Sequence, residues 1–466
     1  MIDPVDLASE LAGRLRPEGT WDLYAQRLRR YELHLNGSRI DLSRGPLTFD
    51  GLGLRVLRPR DGKLGVGFQA TSDFTDAGLA RARAAAERSA SQSEVPAARA
   101  VLPSGPSGSL SAEGVCDLAL WNDPTASLEA YLEVLLGQVS GVRDVSLSFG
   151  SIRATLAETS IANSEGLAAR YPSTEVEIEF AFTAHGGPEG APRGENWVTG
   201  DSRRVDTPAL ADQVGQWCQE ARDAQRAVPP PTGDLSVIFP SSVLRDFLPS
   251  ILGSRFSGTA RLFQIAPEIG SAVGHPGLSI FDDGSYPWGP LSSPVDDEGT
   301  HQSRRTLLDH GRVSSLLYAS IEAAIFDTPP TGNGFRSGAG LRHEWQRCLA
   351  RPSTSPSTIW IPPGSGGSLE DLADLAGDGV LVKQLGFPLP DPVTTAFGGE
   401  LRLGYRIRNG KIAEPVRGGT VGGPGVAAPG APSLLANTIA VGATVELAGT
   451  VASPPILVRP FSVASV

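Results

Sequence analysis

The sequence predicts an α+β protein built in two parts, on three observations. The chain has 466 residues, more than the roughly 250–300 at which a single hydrophobic core stops growing. Its 55 glycines and 38 prolines break it into many turns and short strands. Val228-Pro229-Pro230-Pro231 follows a helical stretch it cannot continue, because proline has no N–H to donate. The division is an N-terminal α+β domain at 1–228, with candidate lobes at 1–97 and 115–228, and a strand-rich C-terminal domain at 229–466.

Residues 4–15 and 75–97 have helical periodicity, the second opened by the cap candidate Thr75. Between them lie strands at 21–36, turning at Asn36-Gly37, and at 51–67, turning at Asp61-Gly62. An antiparallel meander with helices on one side is the economical arrangement. Residues 98–114 are rich in Ser, Pro and Gly and read as a loop. An amphipathic helix at 125–140 places Leu128, Leu132, Leu135 and Leu136 on one face. Strands follow at 142–149, 153–161, 166–171 and 174–184, then a glycine loop and a helix at 207–226. Beyond the prolines come a buried strand at 235–239 and a helix at 241–254 with an apolar face from Leu244 to Leu252. Residues 304–318 read as a hairpin turning at His310-Gly311. From 357 onward the chain reads as strands and turns, at 358–361, 379–385, 400–408, 411–414, 438–447 and 456–459.

Composition narrows the function. Apolar content of 40% and charged content of 20% belong to a folded soluble protein. A formal net charge of −11 argues against nucleic acid, which is bound through clustered Lys and Arg. Cys116, Cys218 and Cys348 are too few and too scattered for a disulfide framework. The acidic N-terminus precedes no apolar run, and no stretch approaches the roughly 18 apolar residues of a membrane span. The expectation is a cytoplasmic protein with no membrane partner.

The stretch 279–334 carries the strongest pattern: the acidic turn Asp296-Asp297-Glu298-Gly299, the paired Arg304-Arg305 opening the hairpin, and the turn Thr331-Gly332-Asn333-Gly334. These motifs resemble the centre of the TldD/PmbA (modulator of DNA gyrase) family. So do Gly51-Leu52-Gly53-Leu54-Arg55-Val56, Thr71-Ser72-Asp73, Ala162-Asn163-Ser164-Glu165-Gly166, Pro231-Thr232-Gly233-Asp234 and Pro415-Val416-Arg417-Gly418-Gly419-Thr420, in that order along nearly the whole chain. The resemblance implies a subunit of a cytosolic zinc metallopeptidase that trims peptides.

In the family's catalytic branch, His-Glu-x-x-x-His lies on the helix after the first C-terminal strand, and a cysteine near the C-terminus adds a third ligand. A hydrolytic zinc needs three protein ligands and an open position for water. Here the corresponding helix reads Ser241-Ser242-Val243-Leu244-Arg245-Asp246-Phe247-Leu248-Pro249-Ser250-Ile251-Leu252-Gly253, without His, Glu or Cys, and no cysteine follows Cys348. That pattern resembles the PmbA/TldE-like branch. It implies no metal or catalytic residue in this chain, zinc in a TldD-like partner, and a heterodimer (or a homodimer) acting on unfolded or leader peptides. The residues expected to line the peptide chamber are Asp296, Asp297, Glu298, Gly299, Arg304, Arg305, Thr331, Gly332, Asn333 and Gly334. The alternatives are a self-associating peptide-binding protein without peptidase activity, or a divergent metallopeptidase with its own site.

His343-Glu344-Trp345-Gln346-Arg347-Cys348 has the ligand spacing in the wrong place. Ring and thiol five residues apart on a helix would diverge by about 140°, and Arg342, Arg347 and Arg351 would repel a dication. It reads as a polar turn with Trp345 or Cys348 packed inward. His301 beside Asp296, Asp297 and Glu298 is the one place where an imidazole meets a carboxylate cluster, and turn residues satisfying backbone N–H groups explain it better.

Overall fold

The computed structural model describes residues 4–104, 107–185, 193–336 and 346–465. The first half is one sheet, antiparallel except for the short strand Ser107–Ser109, which lies parallel to its neighbour. Strand β1 (Thr20–Asn36) lies between β2 (Arg39–Arg60) and the strand Val145–Asn163; β3 (Lys63–Thr71) extends one side, Ala168–Ala184 and Gly194–Ser202 the other. Asp61 and Gly62 both adopt positive φ, 51° and 73°, which is what a two-residue turn matched to strand twist requires.

Alternation along these strands sorts the two faces. Leu23, Leu33 and Leu35 of β1, with Leu52 and Leu54 of β2, pack under the helices. Helix α1 (Leu7–Leu15) and helix α2 (Asp76–Gln92) cover one end; Pro124–Ser140 and Thr207–Arg226 cover the other. Asp22, Tyr24 and Gln26 of β1, and Gly51, Gly53 and Arg55 of β2, fall on the opposite face, against the second half: Tyr24 clusters with Val295 and Cys348. Helix α2 approaches β3 so closely that a Cβ on Gly67 would lie 1.9 Å from the Ala86 carbonyl oxygen. The cap Thr75 accepts from the Gly78 N–H.

In the second half, five strands close on themselves: Gly379–Gly386, Gly233–Phe239, Ile456–Ala464, Thr420–Pro424 and Ala396–Arg408, the last pairing back to the first. The inside is aromatic, with Phe247 stacked on Phe397 at 4.3 Å and Phe239 edge-on to Phe461 at 5.5 Å. A smaller sheet runs from Arg312–Val313 through Arg304–Asp309, Ile280–Asp283, Ile359–Trp360 and Val451–Ser453 to Glu446–Ala448. Both halves carry sheets with flanking helices, so the α+β two-part architecture is as expected.

Several element boundaries differ from the expectations above. Val145–Asn163 is one strand running through Gly150, where two strands, 142–149 and 153–161, were expected. That glycine is there for closeness: a Cβ would lie 2.8 Å from a Leu35 methyl. Ala168–Ala184 likewise runs through Pro172, which sits where neither outer neighbour pairs, since Ser107–Ser109 stops at Arg170 and Gly194–Ser202 begins at Val176. The helix expected at 241–254 is two pieces, Ser241–Leu244 and Leu248–Arg255, because Pro249 can only begin a new turn. The second hairpin strand is two residues, Arg312–Val313. The region after 357 also contains a helix, Leu369–Ala376, with a Ser368/Asp371 capping box. No helix among the described residues is long and apolar enough to cross a membrane.

Candidate functional site

The turns at 296–299 and 331–334 come together at the seam between the two halves. Asp296 closes its own turn, its Oδ1 accepting from the N–H groups of Glu298 (3.0 Å) and Thr300 (2.8 Å), and its Oδ2 from the Gly334 N–H (2.8 Å). Asp297 Oδ2 accepts from the Arg336 N–H at 2.6 Å and from Arg347 Nη2 at 2.8 Å. Glu298 takes the Ser320 N–H and hydroxyl at 2.7 and 2.5 Å, and its Oε1 lies 2.6 Å from Arg55 Nη1. All three carboxylates are buried. Gly299 has φ +89°, and a Cβ there would strike Leu167 at 2.0 Å, so only glycine lets the turn meet the N-terminal half. Gly334 is equally constrained, 2.2 Å from Glu298 Oε2 by the same measure.

Arg55 is the crossing point. Its Nε donates to Asp22 Oδ2 at 2.6 Å, while its Nη1 meets Glu298 from the other half. Arg336 reaches back to Asp22 Oδ1 at 3.1 Å and lies over the Tyr24 ring. Burial depresses the Arg336 guanidinium, with Asp22 opposing. Burial would also depress Arg55, but Asp22 and Glu298 more than offset it and raise it. Asp296 is raised well above the usual carboxylate range by burial and then by Glu298.

A second chain of bonds runs to the surface. Thr331 donates to Asn333 Oδ1, and Asn333 Nδ2 donates to Asp282 Oδ2 at 2.6 Å. Asp282 also accepts from the Ser357 N–H and hydroxyl, and burial pushes it up to about 6. The adjacent Asp283 holds Arg304 Nε at 2.8 Å, and that guanidinium lies 4.0 Å over the Trp360 ring, half exposed. Arg305 is half-buried. Of the ten candidate positions, only Arg304 and Arg305 reach solvent; the acidic turn and the Thr331-Gly332-Asn333-Gly334 turn lie behind them.

The helices Ser241–Leu244 and Leu248–Arg255 border a small cavity of ≈130 Å³ shared by both halves, lined by Glu175, Thr199 and Asp201 on one side and Arg245, Asp246 and Thr450 on the other. Arg245 Nη2 donates to the Thr199 carbonyl at 2.6 Å. Burial raises the Asp246 carboxyl, Arg245 lowers it, and Asp201 raises it further. Its donors are carboxylates and hydroxyls faced by a guanidinium, which do not fit a hydrolytic zinc, and among the described residues no three His, Cys, Asp or Glu side chains are placed to hold a metal ion.

His301 is exposed while Asp296, Asp297 and Glu298 are buried, so its imidazole does not join that cluster. His343 lies outside the described residues. Cys348 is packed in the seam, its N–H donating to Gln26 Oε1 and its thiol pushed up to about 12 by burial. Asp22, Asp282 and Arg336 were not singled out from the sequence, and Arg55 and Arg347 were named there without a role at this site. For Asp22 and Arg55 the signal was present: a charge inside an apolar strand run seeks a buried partner.

Residues 232–465 match the family model described as PmbA/TldA metallopeptidase C-terminal domain. The chain is 24% identical over 310 residues to a metalloprotease of Synechocystis sp., covering 65% of this chain and 62% of that protein. It is 27% identical over 158 residues to a TldD homologue of Buchnera aphidicola, covering 34% and 31%. The chain thus spans less than two thirds of the length of these relatives. TldE of Thermococcus kodakarensis superposes with a TM-score of 0.77 at 16% identity, over 99% of this chain and 100% of that one, a likeness of fold.

Proposed function

The chain belongs to the PmbA/TldD metallopeptidase family, and we propose that it is a TldE-like, non-catalytic subunit that holds unfolded or leader peptides while a zinc-bearing partner cuts them. The observation that carries this reading is the donor set on the two helices after Gly233–Phe239. The helices and the turn that joins them carry no imidazole or thiol, and the charged pair there is Arg245 and Asp246 of the turn, 3.5 Å apart. No step through a metal is assigned to this chain.

Its own contribution is to hold and position. Strand β2 pairs with β3 only from Leu52 onward, so residues 39–51 have one edge unpaired by any strand among the described residues. An extended peptide adds to such an edge through backbone hydrogen bonds, indifferent to its side chains. Arg304 and Arg305 offer cations to peptide carbonyls and carboxylates, and the turns at 296–299 and 331–334 fix the strand that bears them. The three cysteines are free and buried, in keeping with work in the cytoplasm.

The test is reconstitution. The chain alone leaves an unfolded test peptide intact, and adding a family member that carries His-Glu-x-x-x-His gives cleavage that a chelator stops. Chelator-sensitive hydrolysis by the chain alone sinks the proposal. The same free edge would serve a self-associating peptide binder, which the partner would leave inactive.

A further inference from the structure

A cavity of ≈570 Å³ lies at the seam, away from the helices that follow Gly233–Phe239. Its walls are Val66 and Val95 from the N-terminal half and Ile321, Leu349 and Pro352 from the C-terminal half, with Arg55 at one side. That volume is in the range of small-molecule sites, as is the lining: mostly apolar, with a few polar groups.

Arg55 is the second observation. Its side chain is 1% exposed, Nε is bound by Asp22 and Nη1 by Glu298, yet Nη2 has no hydrogen-bond partner among the described residues. A buried guanidinium N–H left without an acceptor costs the full desolvation of that group, so an acceptor supplied by a ligand would recover it. The charge of Arg55 is already balanced by two carboxylates. Arg351, also lining the cavity, is exposed and forms no ion pair among the described residues. Glu322 on the wall spends one carboxylate oxygen on the Thr259 hydroxyl at 2.8 Å. Arg351 is therefore the one cation at the cavity with no carboxylate partner among the described residues, and Glu322, held by the Thr259 hydroxyl, is the anion an incoming acid must keep clear of.

We propose that this cavity is a binding site for a carboxylate-bearing molecule with a short branched apolar body, its acid group set between Arg351 and Arg55 Nη2 and its body against Val66, Val95 and Ile321. Two sources share this chemistry: a free small acid, and the C-terminal carboxylate of a peptide ending in an aliphatic residue. The site is separate from the peptidase reading and stands or falls without it.

Calorimetric titration of the full chain tests it, with 4-methylpentanoate and its amide, and with a short leucine-terminated peptide as free acid and as C-terminal amide. At least one acid binds about tenfold or more tightly than its amide, as a charge-assisted hydrogen bond implies; which acid binds better identifies the source. Arg55 also holds the seam, so the variants avoid it. Arg351→Gln weakens the acid about tenfold and leaves the amide unchanged, and Val95→Trp abolishes binding by filling the cavity while the melting temperature holds. Neither acid saturating below about 10 mM, acid and amide binding alike, or Val95→Trp binding as the wild type would each overturn it.

Discussion

Arg55 is one side chain in a strand, yet it is the bond by which two halves of the molecule recognise each other. Removing one partner of a buried ion pair strands the others as uncompensated charges, so Arg55→Met should cost about 3–5 kcal/mol in urea unfolding. Asp282 gives a pH signature of known sign. Its folded pKa, about 6, lies above the ordinary 3.8. Its contribution is therefore full below about 3.8 and lost as pH rises through about 6. Asp282→Asn cannot ionise, so between about pH 4 and pH 7 stability should shift in the variant's favour by up to about 3 kcal/mol. Thermal melts of both proteins at the two pH values check it, and parallel curves would remove Asp282 from the account. At this scale the sequence showed which motifs meet but not which way they face. Asp296, Asp297 and Glu298 read as a polar turn; their burial depends on Arg55, Arg336 and Arg347, from 38 to 243 residues away in sequence, beyond what local pattern can see.

Elements pack here through glycine. Helix α2 rests on β3 because Gly65 and Gly67 leave its backbone room, and Gly67→Ala should cost about 3 kcal/mol by forcing the helix away from the sheet. Thr75→Ala, at the cap of the same helix, should cost only about 1 kcal/mol. Urea titrations compare the two, and a Gly67→Ala cost no larger than the cap's would contradict the close packing. Most helices and the turns at Asn36-Gly37, Asp61-Gly62 and His310-Gly311 were legible, since capping and positive-φ chemistry are local. The long strands were not. The expected strands stop short of Gly150 and Pro172, and only the neighbouring strands reveal that one makes room for Leu35 and the other faces an unpaired gap. Pro249, by contrast, was a legible break inside an apolar face whose periodicity outweighed it.

For the whole molecule, the buried seam couples the halves. Arg203, 1% exposed, donates to the carbonyls of Thr174 in the first half and Ser292 in the second, at 3.1 and 3.3 Å. Differential scanning calorimetry should show one cooperative transition for the wild type, and Arg55→Met should split it in two. Two separate wild-type transitions would show that the halves fold independently of the seam. The two-part architecture was legible from length and from the proline run, whereas the closed ring of strands in the second half was not, because its pairings join residues as far apart as Gly233 and Val463.

The claim that this chain holds peptides without cutting them is tested most directly by its metal content. Elemental analysis of the chain purified alone should find no stoichiometric zinc, and analysis of its complex with a family member bearing His-Glu-x-x-x-His should find about one zinc per pair. Stoichiometric zinc in the lone chain would contradict the account and turn attention to His343 and Cys348.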